Sequence, residues 1–346
     1  MKINSYSSER NFLKEKNFFI SNSFILIGHI CEFRNRGDYK LINFLEKSIV
    51  IYKFKEKISA FTNLCSHRGN KIFTKAKGNS SFVCPYHAWS YDYKGRVKNI
   101  PYEKIAFNLD KKKIKLEEWI LDFCGDFIFL KSKKNPLKLK SYLGVEFNNL
   151  SKISKKIYKS IDHQVYNWKA NWKICVENSI DEYHSIFLHK TTFKNILKLE
   201  PKYETNNNVM KMKMPVSKKY INKFEKINNY FNDLKKTYEH TMIFPYSSIS
   251  TTMGNSYYIQ NYLPIDINNT YVTSSIYLPK ISFKKNKKIE SFFSNSCMKF
   301  NEQIFTEDKD ICENIYNNIK NNNFRKDIIG NLEYRIKIFR KMIKKI

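Results

Sequence analysis

Two short segments decide the reading of this chain: Cys65-Ser66-His67-Arg68-Gly69 and Cys84-Pro85-Tyr86-His87-Ala88-Trp89. They give Cys-x-His, sixteen residues, then Cys-x-x-His. Two thiolates suit one iron of a 2Fe-2S pair, while two neutral imidazoles on the other iron remove negative charge and raise the reduction potential. Each pair is close enough in sequence to occupy one loop tip, and Gly69 and Pro85 permit or fix the tight backbone such tips need. Two tips would pinch one cluster between them, so the chain is expected to handle electrons. The competing occupant is zinc, which also takes Cys and His in two pairs. Zinc knuckles normally pair like with like at spacings of their own.

A second constellation follows in Asn171-Trp-Lys-Ile-Cys-Val-Glu-Asn-Ser-Ile-Asp-Glu-Tyr-His-Ser-Ile-Phe-Leu-His189. Asp181 and His184 are three apart, hence neighbours on one helical face. His184 and His189 are five apart, about 140° from each other on a regular helix. Both can face one metal only if the helix ends, widens or bends between them. Two imidazoles and a carboxylate on one face of Fe(II), with positions left open, let iron bind and activate O2.

The stretch 63–70, the stretch 84–92, Gly95 and Pro101 resemble the Rieske domain of ring-hydroxylating oxygenase α-subunits. The second constellation and the segment 305–313, Phe-Thr-Glu-Asp-Lys-Asp-Ile-Cys-Glu, resemble the parts of that family that hold a mononuclear iron. Residue by residue, the resemblance puts the carboxylate ligand at Asp308, with Glu307 and Asp310 as competitors. On a helix Asp308 shares a face with Ile304, Ile311 and Cys312, which aims it inward, whereas Asp310 points away. The resemblance also gives Asp181 a role as a bridge between His87 of one subunit and His184 of the next; the alternative is an acid working within one subunit.

The resemblance further implies a terminal oxygenase. Electrons from NAD(P)H would arrive only indirectly, through a separate reductase with or without a ferredoxin. They would enter a 2Fe-2S cluster held by Cys65, His67, Cys84 and His87, pass to mononuclear Fe(II), and drive insertion of oxygen from O2 into a small organic substrate by hydroxylation, dihydroxylation or oxidative demethylation. A head-to-tail homotrimer would bring the two centres of different copies together. Met242, Phe244, Ile249, Tyr257 and Tyr262 are the pocket-lining candidates by their hydrophobic character. The rival is a Rieske-type electron carrier without oxygenase activity.

Composition bounds these readings. The 346 residues allow two ordinary domains, and 42% apolar with 16% aromatic content supplies a core. A formal charge of +30 invites a nucleic-acid or membrane reading. Only eight of the 62 basic residues are Arg, the residue that bidentate phosphate or base recognition favours. The abundance of Lys, Asn, Ile, Phe and Tyr, all with AT-rich codons, accounts for the charge more simply, so neither nucleic acid nor membrane is expected as a partner. Seven scattered cysteines fit thiols in a reducing compartment. No leader-like or membrane-spanning run is apparent, which makes the cytoplasm the expected location.

The expected fold class is α+β: an all-β cluster domain at 38–132 and a helix-grip catalytic domain, an antiparallel sheet with flanking helices, at 133–346. A segment at 1–37 is expected to pack on the latter. Strands are expected at 48–54, 58–61, 82–84, 91–93, 126–130, 202–213, 246–252, 256–262 and 271–278. Helices are expected near 175–189, 284–321 and 331–346.

Overall fold

A computed structural model describes residues 3–225, 235–279, 287–324 and 326–346. Nine strands come first: β1 (Ile25–His29), β2 (Asp38–Phe44), β3 (Lys47–Lys53), β4 (Ile58–Thr62), β5 (Lys77–Asn79), β6 (Ser90–Tyr91), β7 (Val97–Asn99), β8 (Glu118–Cys124) and β9 (Phe127–Ser132). Seven of them form one antiparallel sheet in the order β1-β9-β8-β4-β3-β2-β5, and β6 and β7 make a separate ribbon. The second sheet uses β10 (Ile157–Trp168), β11 (Lys202–Asn206), β12 (Val209–Pro215), β13 (Thr237–Ile243), β14 (Ser247–Thr252), β15 (Tyr257–Pro264) and β16 (Thr270–Pro279). Its order, β10-β16-β15-β14-β13-β12-β11, is a meander closed by β10 on β16.

The helices are α1 (Glu9–Asn22), α2 (Glu103–Ala106), α3 (Leu139–Leu143), α4 (Glu146–Ser154), α5 (Trp172–Ser179), α6 (Lys218–Glu225), α7 (Lys287–Lys320) and α8 (Tyr334–Ile343). In α7 the buried residues Cys297, Asn301, Ile304, Phe305, Asp308, Cys312, Tyr316 and Ile319 recur every three or four positions. That spacing makes one stripe, which seats the helix against α5, β10 and β16. Ile311 lies off this stripe and is exposed. The α+β class expected from the sequence is the one observed, with an all-β first part and a sheet-and-helix second part.

Two local expectations give way to geometry, and part of a third is not described. Residues 82–84 are not a strand, because Cys84 is committed to a turn in which its N–H donates to Trp89 O, leaving a single bridge between Val83 and Ser90. The helix expected across 175–189 stops at Ser179. The first residues of the helix expected from 284, namely 284–286, lie outside the described residues. Among the described residues, no helix is long and apolar enough to cross a membrane.

β14 is almost entirely Ser and Thr yet buried throughout; Ser248 and Thr251 bond within the second sheet and its turn, and Ser247 joins the two sheets. Ser247 Oγ accepts from Leu26 N at 3.1 Å in β1 and donates to Asn261 Oδ1 at 2.7 Å. Lys40 of β2 makes the corresponding charged link. Its buried Nζ donates to Ile27 O (2.9 Å), Glu32 Oε2 (2.8 Å) and Ser275 Oγ of β16 (2.9 Å). Lys40→Met strands the Glu32 carboxylate, 7% exposed, and is expected to cost about 3–5 kcal/mol in urea unfolding. Adding Glu32→Gln should recover part of that loss.

Candidate metal centres

The first pair of segments forms two loops of matching geometry. In one, Cys65 N–H donates to Asn70 O and Gly69 N–H to Cys65 O; in the other, Cys84 N–H donates to Trp89 O and Ala88 N–H to Cys84 O. The fourth residue after each cysteine has a left-handed backbone, Gly69 at φ +71° and Ala88 at φ +56°. Ala88, rather than Pro85, is thus the counterpart of Gly69.

Across the two tips the His67 and His87 rings lie 4.7 Å apart, and Trp89 stacks on His67 at 4.8 Å. The two thiols also face each other, and burial is the largest influence raising Cys65, with Cys84 beside it adding to the rise. Tyr91 Oη stands 3.0 Å from Cys65 Sγ while accepting from Ser66 N at 3.0 Å. His67 Nδ1 is buried with no hydrogen-bond partner. A single zinc ion would draw all four donor atoms to within about 4 Å of one another. Among the described residues, the one group of three or more such donors within 4.8 Å of each other lies elsewhere. Thiol beside thiol and imidazole beside imidazole, with the pairs spread apart, suits a group with two metal atoms.

That other group is His184, His189 and Asp308. After α5 ends, Asp181 Oδ1 accepts from Tyr183 N at 2.7 Å and turns the chain into a single 3-10 turn, His184–Ile186, beyond which His189 follows. The ended helix removes the angular conflict between the two histidines. His184 Nε2 and His189 Nε2 are 3.2 Å apart, and Asp308 Oδ1 lies 3.5 Å from the first and 3.2 Å from the second. Two imidazole nitrogens at that separation need a proton or a cation between them, and a point roughly 2 Å from all three atoms exists, the bond length divalent metals make to nitrogen and oxygen. Asp308 Oδ1 is buried without a hydrogen bond.

Each imidazole is backed on its far side. His189 Nδ1 contacts Glu307 Oε2 at 2.6 Å, and His184 Nδ1 lies 3.3 Å from Asp181 Oδ2, an ionic contact rather than an aligned hydrogen bond. A carboxylate at Nδ1 holds the proton there and turns the Nε2 lone pair inward, as metal-ligating histidines require. Glu307 therefore serves a histidine rather than the centre, and Asp310 is exposed. The donor set fits a divalent metal of the kind two imidazoles and one carboxylate hold.

Burial alone would lower His184, but the carboxylates of Asp181 and Asp308 outweigh it and raise the metal-free imidazole from 6.5 to about 10. In the metal-free protein this protonation stabilises the fold in full below pH 6.5, and the contribution is lost as pH rises toward 10. A metal needs the neutral imidazole, so loading Fe(II) at neutral pH is expected to release about one proton, read by calorimetry in buffers of different ionisation heat. Metal affinity should therefore rise with pH across that window.

The group opens into a cleft of about 710 Å³, including its part open to solvent. One cross-strand row, Met212, His240, Ser250 and Tyr258, lies along its wall. Of the five pocket candidates only Tyr262 lines it. Ile249 and Tyr257 are one residue out of phase and face the other side of the sheet, in a different apolar cluster. Met242 and Phe244 lie in the main core, where Phe244 packs on Phe18 and Phe339. The sequence reading missed His240, Glu182 and Arg335, all lining the cleft. The available signal was an Arg on the apolar stripe of 332–339, one residue before Ile336 and four before Phe339.

The Rieske [2Fe-2S] domain profile matches residues 23–111, and the profile of the ring hydroxylating α-subunit catalytic domain matches 156–346. The glycine betaine monooxygenase oxygenase subunit of Chromohalobacter salexigens is 25% identical over 197 residues, 56% of this chain and 44% of that protein. Benzene 1,2-dioxygenase subunit alpha of Pseudomonas putida is 34% identical over 142 residues, 40% of this chain and 32% of that protein. The chain thus spans less than half the length of these relatives. A quaternary ammonium Rieske monooxygenase, solved with an inhibitor, superposes with a TM-score of 0.82 at 19% identity, over 100% of this chain and 94% of that one.

Proposed function

The chain belongs to the ring-hydroxylating oxygenase α-subunit family, and on that premise we propose that it is the terminal component of a Rieske-type oxygenase. The observation that carries the proposal is the convergence of His184, His189 and Asp308 on one point at the head of a cleft, in a chain that also pairs two thiols and two imidazoles on facing loops. When bound, a 2Fe-2S cluster would supply single electrons, and Fe(II) would supply the site at which O2 is reduced and oxygen enters an organic substrate.

Cys65, His67, Cys84 and His87 would hold the cluster; His184, His189 and Asp308 would hold the iron. Glu307 and Asp181 orient the two imidazoles, and the apolar wall of Ile304, Phe305 and Tyr262 limits water around them. Asp181 is 18% exposed, which leaves it an edge for a second imidazole. In a head-to-tail homotrimer that edge would receive His87 of the neighbouring copy. The likeness to a glycine betaine monooxygenase subunit supports monooxygenation, and the likeness to a benzene dioxygenase subunit is the case for dihydroxylation. The proposed divisions are 1–37, 38–132 and 133–346, and the proposed donor is a separate reductase, with or without a ferredoxin. None of the seven cysteines is in a disulfide, and the proposed location is the cytoplasm.

Iron and sulfide analysis of the purified protein tests the proposal. Three irons and two sulfides per chain are expected; two irons with two sulfides would leave only the electron carrier.

A further inference from the structure

The wall of the cleft holds a hydrogen-bond donor that the metal chemistry does not use. Arg335, 1% exposed, gives Nε (2.7 Å) and Nη2 to Glu182 Oε1, and Tyr203 Oη donates to Glu182 Oε2 at 3.0 Å. Its remaining arm, Nη1, lies 2.7 Å from His240 Nδ1. A guanidinium can only donate, so Nδ1 is the acceptor and the proton of the neutral ring sits on Nε2. His240 is 3% exposed and lines the cleft, yet Nε2 has no hydrogen-bond partner. A buried N–H without a partner is costly, and here it stands in the wall of a cleft that opens on the metal donors.

We propose that His240 Nε2–H binds an uncharged acceptor oxygen of the substrate, of the carbonyl type, and so fixes which end of the molecule faces His184, His189 and Asp308. This rests on the oxygenase reading of the same cleft and adds its substrate class. Arg335 is a positioning residue, because it acts through the tautomer of His240. The preference for an uncharged oxygen follows from the charges at hand. Burial and the adjacent guanidinium hold His240 well below its ordinary value, so the ring stays neutral. The charge of Arg335 is already met by Glu182. Among the described residues this part of the wall offers a substrate carboxylate no unpaired Lys or Arg to offset its desolvation, whereas a ketone or amide oxygen needs only the one donor.

The test is calorimetric titration of the iron-loaded protein with matched probes, acetophenone against ethylbenzene and cyclohexanone against methylcyclohexane, with benzoate as the charged comparison. In the parent protein the carbonyl member of each pair should bind about tenfold more tightly, the size of one well-made hydrogen bond. His240→Phe should abolish that ratio. His240→Gln should keep most of it, since its amide can accept from Arg335 through oxygen and donate into the cleft through nitrogen. A ratio unchanged in His240→Phe, no preference in the parent, no binding of any probe, or tighter binding of benzoate than of acetophenone would each overturn the inference. Failure of the oxygenase reading itself would appear separately, as a missing third iron in the same preparation.

Discussion

Asp308→Ala is expected to yield a folded protein with two irons and two sulfides per chain, an unchanged visible spectrum from the cluster, and no measurable substrate-dependent oxygen uptake. Among the described residues, Asp308 contributes the only carboxylate oxygen that faces both histidine Nε2 atoms, at 3.5 and 3.2 Å. Even outer partners of metal ligands are worth about 10–100-fold in affinity or activity, so losing a direct ligand should weaken iron binding by more than about 100-fold. The neighbouring acids supply the controls. Glu307→Ala removes the carboxylate behind His189 Nδ1 and should fall inside the outer-partner range, with iron retained under excess metal. Asp310→Ala, on the exposed side of α7, should match the parent. Iron analysis with oxygen-electrode rates separates the three, and equal behaviour of Asp308→Ala and Asp310→Ala would remove Asp308 from the centre.

That contrast bears on what the sequence can disclose. Asp308 was legible through the resemblance of 305–313 to the family's C-terminal segment, and the buried Ile304 and Cys312 on its helical face pointed the same way. The two Cys/His segments were legible from local spacing alone, since each loop carries its own pair. The cleft was not. Whether Ile249 or Ser250 faces it depends on strand register, and a shift of one residue exchanges the two faces of a sheet. The donor on His240 was further out of reach, because its tautomer is set by Arg335, 95 residues away. The spacing of three between Asp181 and His184 suggested one helical face, whereas α5 has already ended at Ser179 and Asp181 spends one oxygen on the Tyr183 backbone.

That use of both carboxylate oxygens makes Asp181→Asn the sharpest test of how electrons reach the iron. The parent side chain accepts from Tyr183 N at 2.7 Å through Oδ1 and faces His184 Nδ1 at 3.3 Å through Oδ2. An amide of the same shape has one acceptor. If its oxygen stays on Tyr183, its NH2 group meets the Nδ1–H of His184, donor against donor; if it turns over, the Tyr183 backbone loses its partner. In either orientation one of the two contacts is already unmet, and a second imidazole would have to share the single remaining acceptor oxygen. Iron and sulfide contents should remain at three and two, because His184, His189 and Asp308 are untouched. Reoxidation of the chemically reduced cluster by O2 should slow by about 10–100-fold, the cost of removing such a partner. Stopped-flow absorbance of the cluster measures this without a known substrate. Asp181→Glu keeps two acceptor oxygens and should recover part of the rate. If Asp181→Asn reoxidises at the parent rate with all three irons present, Asp181 only orients His184 within its own subunit, and the bridge to His87 of a neighbouring copy is lost.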